Sequence, residues 1–284
     1  MAAFFAWGNV PNSFVVGKGS LLDYENLPQD YEGKFKVNDW NAMQLQAFYT
    51  GPNGYHWAIM PNNNWSARGP SDMMLYLQAE HMTIGPDDLA RPGRGRATFV
   101  SFVPGGTAWY IRYSTNQCLW GPDIKAFPST WRSIMHDLDR NHPRKDDCIE
   151  FVAFGPHEVL LIRFENGNFL MQLPEDPAVR SRISPDLIKE VEERLAAGWT
   201  LGNRTALCEF DTNRWFIEWK RGTGAEFRYS MGCDEQSKQD TERVTKVLSG
   251  VGNDPALVAS QQNAQLIAAN SAFAQALAVN RALF

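Results

Sequence analysis

A hydrophobic run, a turn, a second hydrophobic run, another turn and an aromatic residue follow one another in that order five times along the chain. One copy runs from Phe102 through Trp109-Tyr110-Ile111-Arg112-Tyr113 to Trp120. Another runs from Phe154 through Leu160-Leu161-Ile162-Arg163-Phe164 and Asn166-Gly167 to Met171, ahead of Leu173-Pro174. The remaining copies are more worn. They read Trp7, Phe14-Val15-Val16, Tyr24 and Leu27-Pro28; Phe48, Tyr55-His56-Trp57-Ala58-Ile59 and Trp65; and Phe210, Trp215-Phe216-Ile217-Glu218-Trp219 and Phe227. A period of roughly 40 to 56 residues is the mark of stacked or radial repeats.

Within a copy, Ala97 to Phe102 and Ala108 to Tyr113 are rich in aromatic and β-branched residues and flank Pro104-Gly105-Gly106, which is hairpin chemistry. A third strand is expected at Cys118 to Trp120. Ser129-Thr130 then predict the cap of a helix from Trp131 to Leu138, with Trp131, Ile134, Met135 and Leu138 on one face. The next copy repeats the arrangement: Ser184 as N-cap, Pro185 at the first helical position, an apolar face of Leu187, Ile188, Val191 and Leu195, and Gly198 as the stop. In the last copy Val244, Val247 and Leu248 precede Gly250.

The expected fold class is therefore mainly β with helices, an α+β repeat. Units starting near residues 3, 43, 96, 148 and 204 fill residues 1–252. A two- or three-stranded ribbon is marginal alone, so neighbours must pack face to face. Closure into a five-unit β-propeller-like ring is favoured over an open stack, because no polar capping repeat marks either end. The Phe4 to Trp7 strand is placed to complete such a ring by pairing with the last unit.

From Asp254-Pro255 onward the composition turns to Ala, Gln and Asn, and residues 253–284 predict a helix with Leu266, Phe273, Leu277 and Phe284 on one face. So little charge implies that it lies in a groove, closes the ring or pairs with a second copy of the chain.

Composition narrows the classes. Ten Trp, seventeen Phe and eight Tyr are many for 284 residues, and they concentrate in the repeats. The net charge of −5, with Arg91, Arg94 and Arg96 the only basic cluster, argues against a nucleic-acid partner. No apolar run approaches the ~18 residues of a membrane span, and the opening stretch reads as neither signal nor anchor, so a cytoplasmic location is expected. Cys118, Cys148, Cys208 and Cys233 form no paired motif and are expected to be buried free thiols.

Side chains alternate across a strand, which puts Trp109, Ile111 and Tyr113 on one face and Tyr110 and Arg112 on the other. Arg112, Arg163 and Glu218 take the same place in their copies, and His56, Tyr110, Leu161 and Phe216 the place two residues earlier. In a closed array these would either converge on a polar pocket or satisfy one another across the unit boundaries. Trp65 and Trp120 recur at the end of the third strand, where a flat ring either stacks on a sugar or packs between units. The candidate ligand-binding set is thus His56, Trp65, Tyr110, Arg112, Trp120, Arg163 and Glu218.

Catalytic signatures are missing. Gly17-Lys18-Gly19-Ser20 fails as a phosphate loop, no G-x-S-x-G occurs, and His136 with His142 is badly spaced for a metal pair. His157-Glu158 lacks the second histidine of a zinc helix. The Asp137, Asp139, Asp146, Asp147 run lacks the glycine and terminal glutamate of a calcium loop. No metal and no cofactor are expected. A carboxylate pair assembled by folding, such as Glu218 with Asp211, stays open.

At Trp109-Tyr110-Ile111-Arg112-Tyr113 and Phe164-Glu165-Asn166-Gly167 the chain resembles uncharacterised fungal repeat proteins. Their units carry a Trp-rich strand, an Asn-Gly or Asp-Gly turn, another Trp and a Leu-Pro before a helix. In repeat number and length it is also similar to five-bladed tachylectin-type lectins, which implies a sugar-binding ring. The function expected first is a non-catalytic, lectin-like binding module for a carbohydrate or other small ligand. The alternatives are a cofactor-independent cyclase of specialised metabolism, holding a terpenoid-like or aromatic substrate in one aromatic-lined cavity, and a protein-interaction scaffold.

Overall fold

The computed structural model describes residues 3–19, 21–27, 31, 45, 47–59, 65–78, 95–142 and 145–250. The predicted helix at 253–284, with its proposed role in pairing, lies outside the described residues, as do Pro28, Arg91 and Arg94.

The fold is mixed α+β, with five small antiparallel sheets and five helices among the described residues. The sheets are β1-β2-β3 (Ala3–Trp7, Phe14–Lys18, Leu21–Glu25), β4-β5-β6 (Ala47–Thr50, His56–Ile59, Trp65–Arg68), β7-β8-β9 (Ala97–Phe102, Trp109–Tyr113, Cys118–Gly121) and β10-β11-β12 (Ile149–Phe154, Leu160–Phe164, Phe169–Gln172). The fifth contains β13 (Thr200–Leu201), β14 (Ala206–Leu207), β15 (Arg214–Arg221) and β16 (Gly224–Met231). The helices are α1 (Ser71–Gln78), α2 (Ser129–Asn141), α3 (Pro177–Arg180), α4 (Pro185–Ala196) and α5 (Glu235–Ser249).

One hydrogen bond closes each first hairpin and aligns the five units residue by residue. The amides of Gly8, Gly51, Val103, Gly155 and Cys208 donate to the carbonyls of Ser13, Tyr55, Ala108, Val159 and Arg214 at 2.8–3.1 Å. The register inside the hairpins agrees, pairing Trp7 with Phe14, Thr50 with His56, Phe102 with Trp109, Phe154 with Leu160 and Leu207 with Trp215. Three expectations change. Trp65 opens its strand instead of ending it and is not the counterpart of Trp120, because Ala67 pairs with Trp57 as Trp120 pairs with Tyr110. Phe210 does not hold the place of Phe102 and Phe154; Leu207 does, and Phe210 is exposed in the following loop. His56 stands in the place of Trp109, not of Tyr110.

That single step turns His56 to the other face of its sheet, because the side-chain period of a strand is two. The middle strands bury both faces. Trp109, Ile111 and Tyr113 pack with Trp57 and Ile59 of the preceding sheet, whereas Tyr110 packs with Ile149 and Phe151 of the following one. In the first sheet Phe4, Ala6 and Val15 meet Phe48 and Ala58, while Phe5, Phe14 and Val16 meet Phe216, Met231 and Val244.

One strand of each sheet, its inner strand, packs beside that of the next: β1 with β4, β4 with β7, β7 with β10, β10 with β14, and β14 with β1. The first strand does not add to the last sheet as anticipated. It is hydrogen-bonded to β2 in its own sheet and meets the last unit through side chains. The Trp7 indole donates to the Ala206 carbonyl at 3.1 Å, and the Phe5 and Phe216 rings stack with centroids 4.4 Å apart. Arg243 of α5 adds a clasp, donating to both carboxylate oxygens of Asp23 at 2.9 and 2.6 Å, to the Tyr24 carbonyl at 2.8 Å, and to Glu25.

The predicted helix starts are near their observed places, with one change of role. Pro128, not Ser129, precedes α2, and the hydroxyls of Ser129 and Thr130 instead bind the carboxylate and carbonyl of Glu158 in the neighbouring unit. Ser184 and Pro185 open α4 as expected, and Gly250, at φ 73°, ends α5 in the left-handed conformation glycine adopts freely.

Candidate functional site

The seven residues singled out in the sequence are distributed over different unit boundaries. Tyr110 donates its hydroxyl to the Ile149 carbonyl at 2.6 Å. Arg112, 5% exposed, donates to the same carbonyl at 2.8 Å and to that of Asp147 at 2.5 Å. Arg163 repeats this one unit later, donating to the Leu201 carbonyl, to Asn203 Oδ1 at 2.6 Å and to Glu150 at 3.1 Å. Each arginine thus fastens one sheet to the opening of the next inner strand, where sheet pairing leaves carbonyls that burial would otherwise orphan.

Glu218 has the same place but the opposite hydrogen-bonding character, since a carboxylate only accepts. The fifth inner strand adapts. β16 occupies one edge of β15, so β13 and β14 share the other edge as one strand interrupted at Gly202–Thr205. In the interruption the Arg204 amide donates to Glu218 Oε2 at 3.0 Å and its guanidinium to Oε1 at 3.4 Å. A side chain at Gly202 would place its Cβ 2.1 Å from Glu218 Oε2 and would have to displace the carboxylate. Asp211 is engaged separately, accepting from the Asn213 amide at 2.8 Å and lying 3.8 Å from Arg214.

His56 is buried beside Tyr31, with ring centroids 5.1 Å apart. The half-buried Trp120 ring meets Phe127 edge-on at 5.6 Å, and Trp65, also half-buried, packs against the cluster containing Trp57 and Trp109. Cys118, Cys148 and Cys208 are buried as expected, but Cys233 is exposed. Burial pushes the Cys208 thiol above its ordinary pKa, which keeps it protonated and poorly nucleophilic.

A cavity of about 60 Å³ occupies the place where the five inner strands meet. Every sheet contributes, through Trp7, Thr50, Phe102, Phe154 and Leu207 among others, and the cavity lies toward the hairpin loops, reaching Gly8, Pro52, Pro104 and Glu209. The residues paired with the middle strand one step deeper are Ala6, Tyr49, Ser101, Ala153 and Ala206. Four are small and leave the space open. Tyr49 is large, and its hydroxyl donates to the Asn203 carbonyl of the fifth unit at 3.0 Å. Burial, together with the Glu218 carboxylate, drives the Tyr49 pKa well above the ordinary tyrosine value, so the hydroxyl keeps its proton.

Glu209 is the charged residue in this lining. Aligned on the hairpin bonds, it stands where three other units have Pro52, Pro104 and Pro156. Burial raises its pKa above the ordinary carboxylate range, partly opposed by the Gly105 N–H directed at it from the third hairpin. Sequence reading missed Glu209 because anchoring the last copy on Phe210 concealed the Pro-to-Glu exchange. Among the described residues no group of three or more His, Cys, Asp and Glu could hold a metal ion, and no helix is long and apolar enough to cross a membrane.

Comparison of the chain with protein-family models, with curated proteins and with solved structures finds no significant match. Function is therefore to be read from the site itself.

Proposed function

We propose that the five sheets form a closed, propeller-like ring and that the chain is a non-catalytic binding module with a single small-ligand site on the ring axis. The observation that carries this reading is the shared cavity: one wall comes from each inner strand, and the sole charged group of the lining is displayed at the loop end. The contact succession from β1 through β14 and back to β1 supports closure. Radial arrays commonly bind where such loops converge on an axis.

The half-buried packing of Trp65 and Trp120 favours one axial site over several equivalent sugar platforms. The cavity size favours a ligand of a few heavy atoms over the long flexible substrate of a cyclase. A thermal-shift screen of small polar compounds, followed by calorimetric stoichiometry, tests the reading. Binding of one molecule per chain is expected, and stoichiometries of several per chain, or turnover of a bound compound, would replace it.

A further inference from the structure

We infer that the axial site takes a small alkylammonium ion, with Glu209 as its counter-charge and aromatic side chains as its walls. The inference rests on the axial binding reading above and adds the chemical class of the ligand.

Three observations converge. First, Glu209 is half-buried, the Gly105 N–H only partly offsets the burial of its carboxyl, and none of the described lysines or arginines is paired with it. A carboxylate drawn out of water gains most from a cation that supplies both charge and donor protons. Second, the lining contains no lysine, arginine or histidine to repel such a ligand. Third, the remaining walls are rich in rings, with Trp7, Phe102 and Phe154 near the loop end. The electron-rich faces of rings attract cations, and alkylated ammonium groups in particular are desolvated cheaply against them.

The competing cation is a metal ion. A hard divalent ion asks for six or more oxygen ligands, and this lining supplies one carboxylate among hydroxyls and apolar rings. An ammonium group with a short alkyl body satisfies both halves of the lining, the charged end at Glu209 and the carbon at the rings.

The test uses the full chain, n-propylammonium chloride and the neutral, similarly sized n-butanol. The indole N–H of Trp7, a residue of the cavity lining, is fixed on Ala206 and is the reporter in proton–nitrogen correlation spectra. Saturable movement of that resonance by propylammonium is expected, with butanol roughly tenfold weaker and propylammonium weakened roughly tenfold by Glu209→Gln. The spectrum of the variant away from the cavity should be unchanged, which separates lost charge from lost fold. Equal affinity for butanol, or a Glu209→Gln protein that binds propylammonium as well as the parent, overturns the ammonium assignment while leaving an axial site in place. If neither compound moves the Trp7 resonance, the ammonium assignment is overturned, and a thermal-shift ligand that binds without moving that resonance would overturn the axial reading as well.

Discussion

The Tyr49 hydroxyl donates to the Asn203 carbonyl at 3.0 Å, and this bond joins the second unit to the fifth across the space where the inner strands converge. Tyr49→Phe removes the donor and leaves the carbonyl to find another partner. The expected cost is about 1 kcal/mol in equilibrium denaturation. Tyr49→Ala also removes ring packing against Phe99 and Trp57 and should cost about 3 kcal/mol or more.

Arg112 and Arg163 supply donors to carbonyls at the openings of the fourth and fifth units. Replacing either with Met keeps much of the apolar stem and deletes the donors. Each variant is expected to lose about 1–3 kcal/mol, because the penalty is that of an unsatisfied buried carbonyl. The two act at different boundaries, so their effects should nearly add. Urea titrations of both single variants and the double variant measure this; a double variant within about 0.5 kcal/mol of the parent would remove the fastening role.

His157 and Glu158 both adopt positive φ, 55° and 64°, in a turn whose counterpart in the second unit uses Asn53 and Gly54. For a residue with a Cβ this conformation costs roughly 1–2 kcal/mol. Glu158 is compensated, since its carboxylate and carbonyl bind Ser129 and Thr130 at the start of α2. His157 is exposed. His157→Gly should therefore stabilise the protein by up to ~1 kcal/mol, whereas Glu158→Gly should bring no net gain. Melting temperatures of the two variants compare them directly.

Burial holds the Glu209 carboxyl above its ordinary pKa, so the folded protein binds that proton more tightly than the unfolded chain does. The stability gained from the protonated form is present below the ordinary glutamate range and is lost as pH rises through the raised value. Glu209→Gln imitates the neutral acid. The variant and parent should melt alike in acid, and the variant should melt higher once pH passes the raised value. A temperature difference that does not change with pH would contradict this.

The repeat itself was legible in the sequence. Alternating aromatic and β-branched runs, Gly- and Asn-containing turns, and the Ser184-Pro185 helix start depend on local conformational preference, and each copy carries them within its own few dozen residues. The both-sided burial of Trp109-Tyr110-Ile111-Arg112-Tyr113 was equally implied by a strand with hardly a polar position. The candidate site was legible only in part. Arg112, Arg163 and Glu218 were correctly assigned to one place in the unit, but residue type does not reveal which carbonyl a buried guanidinium will meet.

Three matters were decided only by the tertiary structure. The one-residue displacement of His56 follows from hairpin closure by Gly51 and Tyr55, and a shift of one residue reverses the face of a strand. The break at Gly202–Thr205 answers the acceptor-only chemistry of Glu218, which two donor arginines elsewhere did not require. The cavity belongs to no single repeat. Chain order separates Trp7, Thr50, Phe102, Phe154 and Glu209 by many residues, and only packing of the five inner strands side by side gives them a common space.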